Sequence, residues 1–213
     1  PDLTRNITCV FEPGSHARCL LSLLSVDQLK RVLRVILDEN EFLSPYGIRS
    51  VSKRHKEEPF TFSHGQYRTQ VRYLPGESDS GLFGGNSNWR GPVWFPVNFL
   101  IIDALRRYHA FWGDSLGVEF PTGSGRMLHL GEIADAIAGR LIAIFERQDE
   151  RRPCLGENTL LQEDSAWRDL FLFHEYFHGD SGQGLGASHQ TGWTGLVATL
   201  IMELAQERRY QQR

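Results

Sequence analysis

Four stretches of this chain repeat apolar residues at helical spacing, and the segments between them are long and rich in glycine and aromatics. That alternation constrains the fold more than any other feature. One stripe is Val26, Leu29, Val32, Leu33, Ile36 and Leu37, and a second is Val97, Leu100, Ile101, Ala104, Leu105, Tyr108 and Phe111. A third is Ile133, Ala134, Ile137, Leu141, Ile144 and Phe145, and a fourth is Leu196, Val197, Leu200, Ile201 and Leu204. Residues three and four apart share one face of a helix, so each stripe must be buried against a neighbour. The spacing predicts helices over roughly 26–38, from Pro96 to just before Gly113, over 130–148 and over 192–209. Ser25 followed by Gln28 reads as a capping box for the first, and Pro96 suits a first helical turn. Strand–helix–strand alternation does not appear, which sets aside doubly wound and TIM-type architectures. The expectation is an all-α fold of helical hairpins, their long glycine- and aromatic-rich loops gathered at one end around a pocket. Around His64-Gly65 the apolar period shortens toward two, and residues 60–73 predict one small β-hairpin.

The loops hold the candidate chemistry. From Phe173 to Trp193 one carboxylate, Glu175, stands with His174, His178 and His189, among glycines at Gly179, Gly182, Gly184 and Gly186. A second loop runs from Gly76 to Trp94 and carries Trp89, Arg90 and Trp94. A connection of that length is usually functional or disordered, and two tryptophans and an arginine argue against disorder. Gly84, Gly85, Gly184 and Gly186 are expected to shape these loops. The run Lys53-Arg54-His55-Lys56-Glu57-Glu58 reads as a solvated surface.

Composition narrows the partners. A formal net charge of −3 and a pI near 6.3 supply no field that would gather nucleic acid or an anionic membrane. Nowhere is there a run of about 18 apolar residues that would cross a bilayer. Five Trp, thirteen Phe and six Tyr beside 21 Gly suit a carbohydrate ligand as well as a filled aromatic core. Cys9, Cys19 and Cys154 lack metal-ligand spacing and read as free thiols of a reducing compartment. With a start that has no signal-peptide pattern, they point to a cytoplasmic location. Opening on Pro1-Asp2-Leu3-Thr4, the chain reads as cut from a longer one.

His174-Glu175-Tyr176-Phe177-His178 matches H-E-x-x-H. On a helix both imidazoles would share a face and could hold zinc, with Glu175 as base, giving a metallopeptidase. Gly179-Asp180-Ser181-Gly182 would break such a helix at once, although Glu203 has conceivable spacing for a distal ligand. Gly182-x-Gly184 lacks the third glycine of a dinucleotide fingerprint, since Ala187 stands there. A second reading makes Glu175 the base of a sugar hydrolase. A third is a non-catalytic carbohydrate-binding or interaction module.

Asn88-Trp89-Arg90-Gly91-Pro92-Val93-Trp94-Phe95-Pro96-Val97-Asn98-Phe99-Leu100 resembles the W-R-G-P-V-W-x-x-V-N-Y-L passage of family 63 of the glycoside hydrolases. This is the inverting α-glucosidase family that includes processing mannosyl-oligosaccharide glucosidases. Glu175-Tyr176, then Gly184-Leu185-Gly186 and Gly192-Trp193-Thr194-Gly195-Leu196-Val197, are similar to its E-x-Y, glycine loop and G-W-T-x-L-V. Tyr46-Gly47-Ile48-Arg49-Ser50-Val51-Ser52 resembles its Y-G-L-R-S-L-S. Trehalases share a similar ending around their catalytic Glu. The resemblance implies an (α/α)6 toroid, of which residues 1–213 would be the C-terminal half. It also implies Glu175 as general base, with Trp89 and Trp94 as pocket walls. Arg90 would bond the sugar or a catalytic carboxylate, and Tyr46, Arg49, His189 and Trp193 would be further substrate contacts. His174 and His178 would tune Glu175 or bind hydroxyls. Neither metal nor cofactor is called for, and the partners are a carbohydrate and the remainder of the catalytic domain. The family's general acid, an Asp in an earlier segment, has no matching motif, with Asp79 the nearest look-alike. Glucosyl oligosaccharides, glucosylglycerate, mannosylglycerate and other small glycosides all stay open as substrates.

Overall fold

The computed structural model describes residues 8–12, 18–81 and 88–211, so Gly84 and Gly85 lie outside the described residues. Each apolar stripe is a helix: α1 (Val26–Ile36), α2 (Phe95–Trp112), α3 (Leu130–Ala143) and, after the short α4 (Thr159–Glu163) and α5 (Thr191–Thr194), α6 (Leu196–Gln211). The α1 capping box forms as expected: Gln28 N–H donates to Ser25 Oγ, and Ser25 N–H to the Gln28 side chain at 2.8 Å. In α3 a histidine plays that part. Glu132 N–H donates to His129 Nδ1 at 3.1 Å while the Glu132 carboxylate accepts from His129 N–H at 3.0 Å.

Two helices are shorter than their stripes: α1, which ends at Ile36 with the buried Leu37 as its cap, and α3. α3 stops at Ala143 because Ile144 and Phe145 N–H bond three residues back, and Cys154 N–H takes the Ile144 carbonyl at 3.0 Å. Ile144 and Phe145 stay buried, so the stripe continues into the core after the helix has ended. The helix expected over 192–209 is split at Gly195 into α5 and α6, its whole stripe falling in α6.

α2 packs along α3, and α6 against both. Ile102 and Leu105 of α2, Ile133, Ile137 and Leu141 of α3, and Leu200 of α6 make one cluster with Leu29 and Leu33 of α1. Burial of each such side chain contributes about 1.5–3 kcal/mol.

The all-α expectation needs correction, because five two-stranded antiparallel hairpins stand among the described residues. They are β1 (Thr8–Glu12) with β2 (Arg18–Ser22), β3 (Leu43–Ser44) with β4 (Gly47–Ile48), and β5 (Phe60–His64) with β6 (Tyr67–Val71). β7 (Gly117–Glu119) pairs with β8 (Met127–His129), and β9 (Tyr176–Phe177) with β10 (Gly184–Leu185). β5–β6 is the hairpin expected at 60–73. Most of the others have two or three residues per strand, too few for a period of two to register in sequence.

The elements share a polarity that places the site. The start of α2 meets the end of α3 through Phe95 and Phe145, whose rings are 6.0 Å apart. Trp193, just ahead of α6, lies 5.5 Å from Trp94, just ahead of α2. The long connections 37–94 and 144–195 therefore gather at one end, and the α2–α3 connection lies at the other. Asn98 ties the first turn of α2 to this end. Fully buried, it accepts from Ile48 N–H at 2.7 Å and donates to the carbonyls of Ile48 (3.0 Å) and Trp94 (2.9 Å). It serves β4 as a neighbouring strand would. Replacing it strands two buried backbone groups, so Asn98→Ala is expected to destabilise the protein by about 2–3 kcal/mol in chemical denaturation, with the unfolding cooperative.

Candidate active site

Val93, fully buried, is the middle rung of three extended segments. It pairs with Arg49 on one side and with Phe177 on the other. Val93 N–H donates to Phe177 O at 2.8 Å, Phe177 N–H returns to Val93 O at 3.0 Å, and Ser50 N–H reaches Pro92 O at 3.0 Å. Three motifs far apart in sequence, Tyr46–Ser50, Arg90–Trp94 and Glu175–Phe177, are thereby adjacent. Gly91 (φ +149°) permits it: a Cβ there would stand 2.8 Å from the Tyr73 ring and 2.9 Å from Leu74 O.

Aromatics build the wall. Trp94 is 1% exposed and donates its indole N–H to Asn88 O at 3.0 Å. Trp89 stacks on it at 3.8 Å and 3°, and Tyr176 at 4.8 Å and 23°. Trp193, half-buried, leans on it at 55°. Trp89 is 41% exposed, so the stack ends on a ring open to solvent. The Tyr176 hydroxyl pKa is raised by burial first, then by the charges of Glu77 and Glu175.

Glu175 precedes this stack and is half-buried. Its N–H donates to Ala187 O at 2.8 Å, and its Oε2 accepts from Ala187 N–H at 3.3 Å. Gly186 (φ +69°) makes the room, since a Cβ would fall 2.7 Å from that Oε2. Burial, helped by the charge of His189, lowers the His174 pKa and favours a neutral ring, whose Nδ1 is buried without a hydrogen-bond partner among the described residues. His189, exposed, sits alongside through the backbone pairing of Phe173 with His189. His178 has a structural job: its Nδ1 accepts from the N–H groups of Asp180 and Ser181, both at 3.2 Å. Burial lowers the His178 pKa against the opposing charge of Asp180.

H-E-x-x-H is therefore not on a helix. Tyr176–Phe177 is strand and Glu175 a bend before it. His174, Glu175 and His178 do not bring their ligand atoms together as a metal site among the described residues, and the His178 Nδ1 lone pair is already taken by two backbone N–H groups. A second cluster of metal-ligand composition among the described residues is His109, Asp114 and His129. It fits an ion poorly. The two imidazoles stack in parallel at 4.3 Å and 13°, so their Nε2 lone pairs run side by side rather than converge. The His129 Nδ1 lone pair is already used at the α3 cap, which leaves its proton on Nε2.

Arg49 and Arg90 turn out to be scaffolding, each 4% exposed. Arg49 donates to Leu43 O, to Tyr73 Oη at 3.1 Å and to Asp180 Oδ1 at 2.9 Å, and the Tyr73 hydroxyl also donates to Asp180 at 2.9 Å. Arg90 reaches Ser78 Oγ at 2.9 Å and Asp79 Oδ1 at 3.0 Å. Asp79 also pairs with Arg72, whose hydrogen bond leads in lowering its pKa, so it is held ionised and is ill suited to act as an acid. Tyr46 lies at the turn end of β9–β10, its ring against Gly182, away from Glu175. So Glu175, Trp89, Trp94 and Trp193 come together, His189 borders them, and Arg49, Arg90 and Tyr46 are placed elsewhere. Tyr176, Tyr73, Asp180 and Asn88 had no role in the sequence reading. Tyr176 and Asn88 stood inside the quoted family motifs and Asp180 in the Gly179–Gly182 break, whereas Tyr73 stood in none.

An aromatic wall thus stands beside a seated carboxylate, on loops at one end of a helical bundle. Residues 12–194 match the mannosylglycerate hydrolase MGH1-like glycoside hydrolase domain, and the chain belongs to that family. It is 49% identical over 203 residues to an uncharacterized protein of Saccharomyces cerevisiae, covering 94% of this chain and 19% of that protein. It is 26% identical over 186 residues to a probable mannosyl-oligosaccharide glucosidase of Schizosaccharomyces pombe (86% of this chain, 17% of that one). It is 23% identical over 175 residues to a mannosyl-oligosaccharide glucosidase of Saccharomyces cerevisiae (82% and 15%). The likeness to family 63 read from the motifs is borne out. The chain spans less than a fifth of the length of these relatives.

Burial alone would raise the Asp180 carboxyl pKa, but hydrogen bonds from Tyr73 and Arg49, with the charges of Arg49 and Lys53, more than offset it and hold it below the usual range. A depressed carboxylate contributes stability above its unfolded pKa of about 3.9 and loses it as pH falls through the folded value. The gap in unfolding midpoint between the unmodified protein and Asp180→Asn is expected to be full at pH 6–7 and to close in acid below about pH 4. A gap independent of pH would show that Asp180 contributes no charge-linked stability.

Proposed function

We propose that this chain is the base-bearing C-terminal part of an (α/α)6 catalytic domain that hydrolyses α-glycosidic bonds with inversion. Its substrates are α-glucosides or related oligosaccharides and small glycosides. The observation that carries this reading is Glu175. Its carboxylate is oriented by Ala187 N–H, given room by Gly186, and set beside an aromatic stack that ends on the open Trp89 ring. A sugar's C–H face packs on such a ring while its hydroxyls seek polar partners.

Inversion requires two carboxyl groups about 6.5–9.5 Å apart. Glu175 takes a proton from a water on the face of the sugar opposite the leaving group. The water oxygen bonds to the anomeric carbon as the C–O bond to the leaving group breaks. A second carboxyl protonates the departing oxygen, and in this reading the rest of the domain contributes it. Exposed apolar side chains along α2 and α6, Val97, Leu100, Ile201 and Met202, are what the other helices of a toroid would cover. Carbohydrate substrate and the remainder of the domain are thus the two partners.

In the full-length protein, Glu175→Gln is expected to lower kcat on every accepted glycoside by about 10²–10⁴-fold with little change in KM. Nearly full turnover would place the base elsewhere. Trp89→Ala is expected to raise KM about tenfold through lost stacking, measured by steady-state kinetics.

A further inference from the structure

We propose that a cavity of about 410 Å³ between the 148–157 segment and the turn of the β9–β10 hairpin is a second binding site, taking a neutral glycosyl unit of the substrate remote from the bond cleaved. The ligand class rests on the glycosidase reading, whereas the site itself rests on four observations.

The cavity is built by close approaches. A Cβ at Gly182 would stand 2.8 Å from the Tyr46 ring, and one at Gly156 would stand 2.6 Å from the Gln183 side chain. Both walls are seated where only hydrogen leaves space. The facing turn is held in a costly conformation: Gln148 and Arg151 exchange backbone hydrogen bonds at 2.7 and 2.9 Å around Asp149 (φ +48°) and Glu150 (φ +67°). Such a two-residue turn favours glycine, asparagine and aspartate, so Glu150 is the residue out of place, and a side chain kept in such a conformation is a mark of functional sites.

The lining is also electrically balanced. Arg151 and Arg152 face Asp149 and Glu157 around the cavity, and Arg151 pairs with Glu157 at 2.9 Å. Two cations against two anions favour neither an ionic ligand nor its opposite. What remains is an aromatic ring, Tyr46, with the exposed amides of Gln148 and Gln183. This is the chemistry that binds a neutral polyol. The location agrees, because the cavity and Glu175 lie at opposite ends of one short hairpin, on the same end of the helical bundle. An extended saccharide can reach both.

The test uses the full-length protein with two probes, p-nitrophenyl α-glucoside and an α-linked glucotetraose. In a Glu175→Gln background, calorimetric titration with the tetraose is expected to show Kd raised at least tenfold by Gln148→Ala with Gln183→Ala, at an unchanged melting temperature. In the active protein the same pair is expected to lower the ratio of kcat/KM for tetraose over monoglucoside by a similar factor. An unchanged Kd and an unchanged ratio would overturn the second site. If the unmodified protein hydrolyses neither probe, the glycosidase reading fails, and the titration still decides this cavity. Tetraose binding weakened by the double variant supports it, and binding that is absent or unaltered overturns it.

Discussion

The exchange of backbone hydrogen bonds between Val93 and Phe177 is what the rest of this end of the molecule depends on. Val93 is fully buried, so its polar groups have no water to fall back on, and the partner strand is obligatory. Closing the long connection between these residues costs entropy that grows only slowly with length, which is why a long loop can be tolerated between them. Once the pairing forms, Trp94 and Tyr176 are one residue away from it on either segment, and their stack follows from the register. Phe177 then enters the helical core beside Phe95 and Phe145. The site and the core are thus joined through one residue pair.

Buried charge does the remaining positioning. Arg49 and Arg90 are both almost fully buried, and each meets a carboxylate that is partly exposed. Removing a guanidinium from water is expensive, and it is tolerated because carbonyls, hydroxyls and carboxylates take up its donors. Arg49 fastens the strand segment to Tyr73 and Asp180. Arg90 fastens the loop at Ser78 and Asp79. The two arginines therefore fasten the loops from which the aromatic wall is built.

The helices were legible in the sequence because their stripes are long enough for a period to show. Their ends were less so. α3 stops short because Cys154 captures the Ile144 carbonyl, a tertiary event invisible in a local window. The small hairpins escaped notice for the same reason, since β9 and β10 exist only through pairing across a glycine turn. For the candidate site, the motifs marked the right segments but could not assign exposure. Trp89 and Trp94 are the same residue type five positions apart, yet one ends the stack in solvent and the other is sealed beneath it. Arg49 and Arg90 read as ligand contacts for the same reason: a guanidinium's donors look identical in sequence whether they serve a sugar or a carbonyl.

The five residues from His174 to His178 show how secondary structure decides chemistry. On a helix the two histidines would share a face and Glu175 would point about 100° away from each neighbour. On a strand, successive side chains alternate. Tyr176 goes to the aromatic stack and Phe177 to the core, while Glu175, in the bend just ahead of the strand, has its carboxylate beside the Tyr176 ring at the edge. There the glycine loop returns alongside, and Ala187 N–H meets its carboxylate. The glycines that forbid the zinc helix are what let that loop approach. The same change of structure gives the histidines separate settings, His174 against Gly184 and His178 bonded into the turn before Gly182. The pattern that suggested a metal therefore leaves a single carboxylate, held by a backbone N–H beside the aromatic stack.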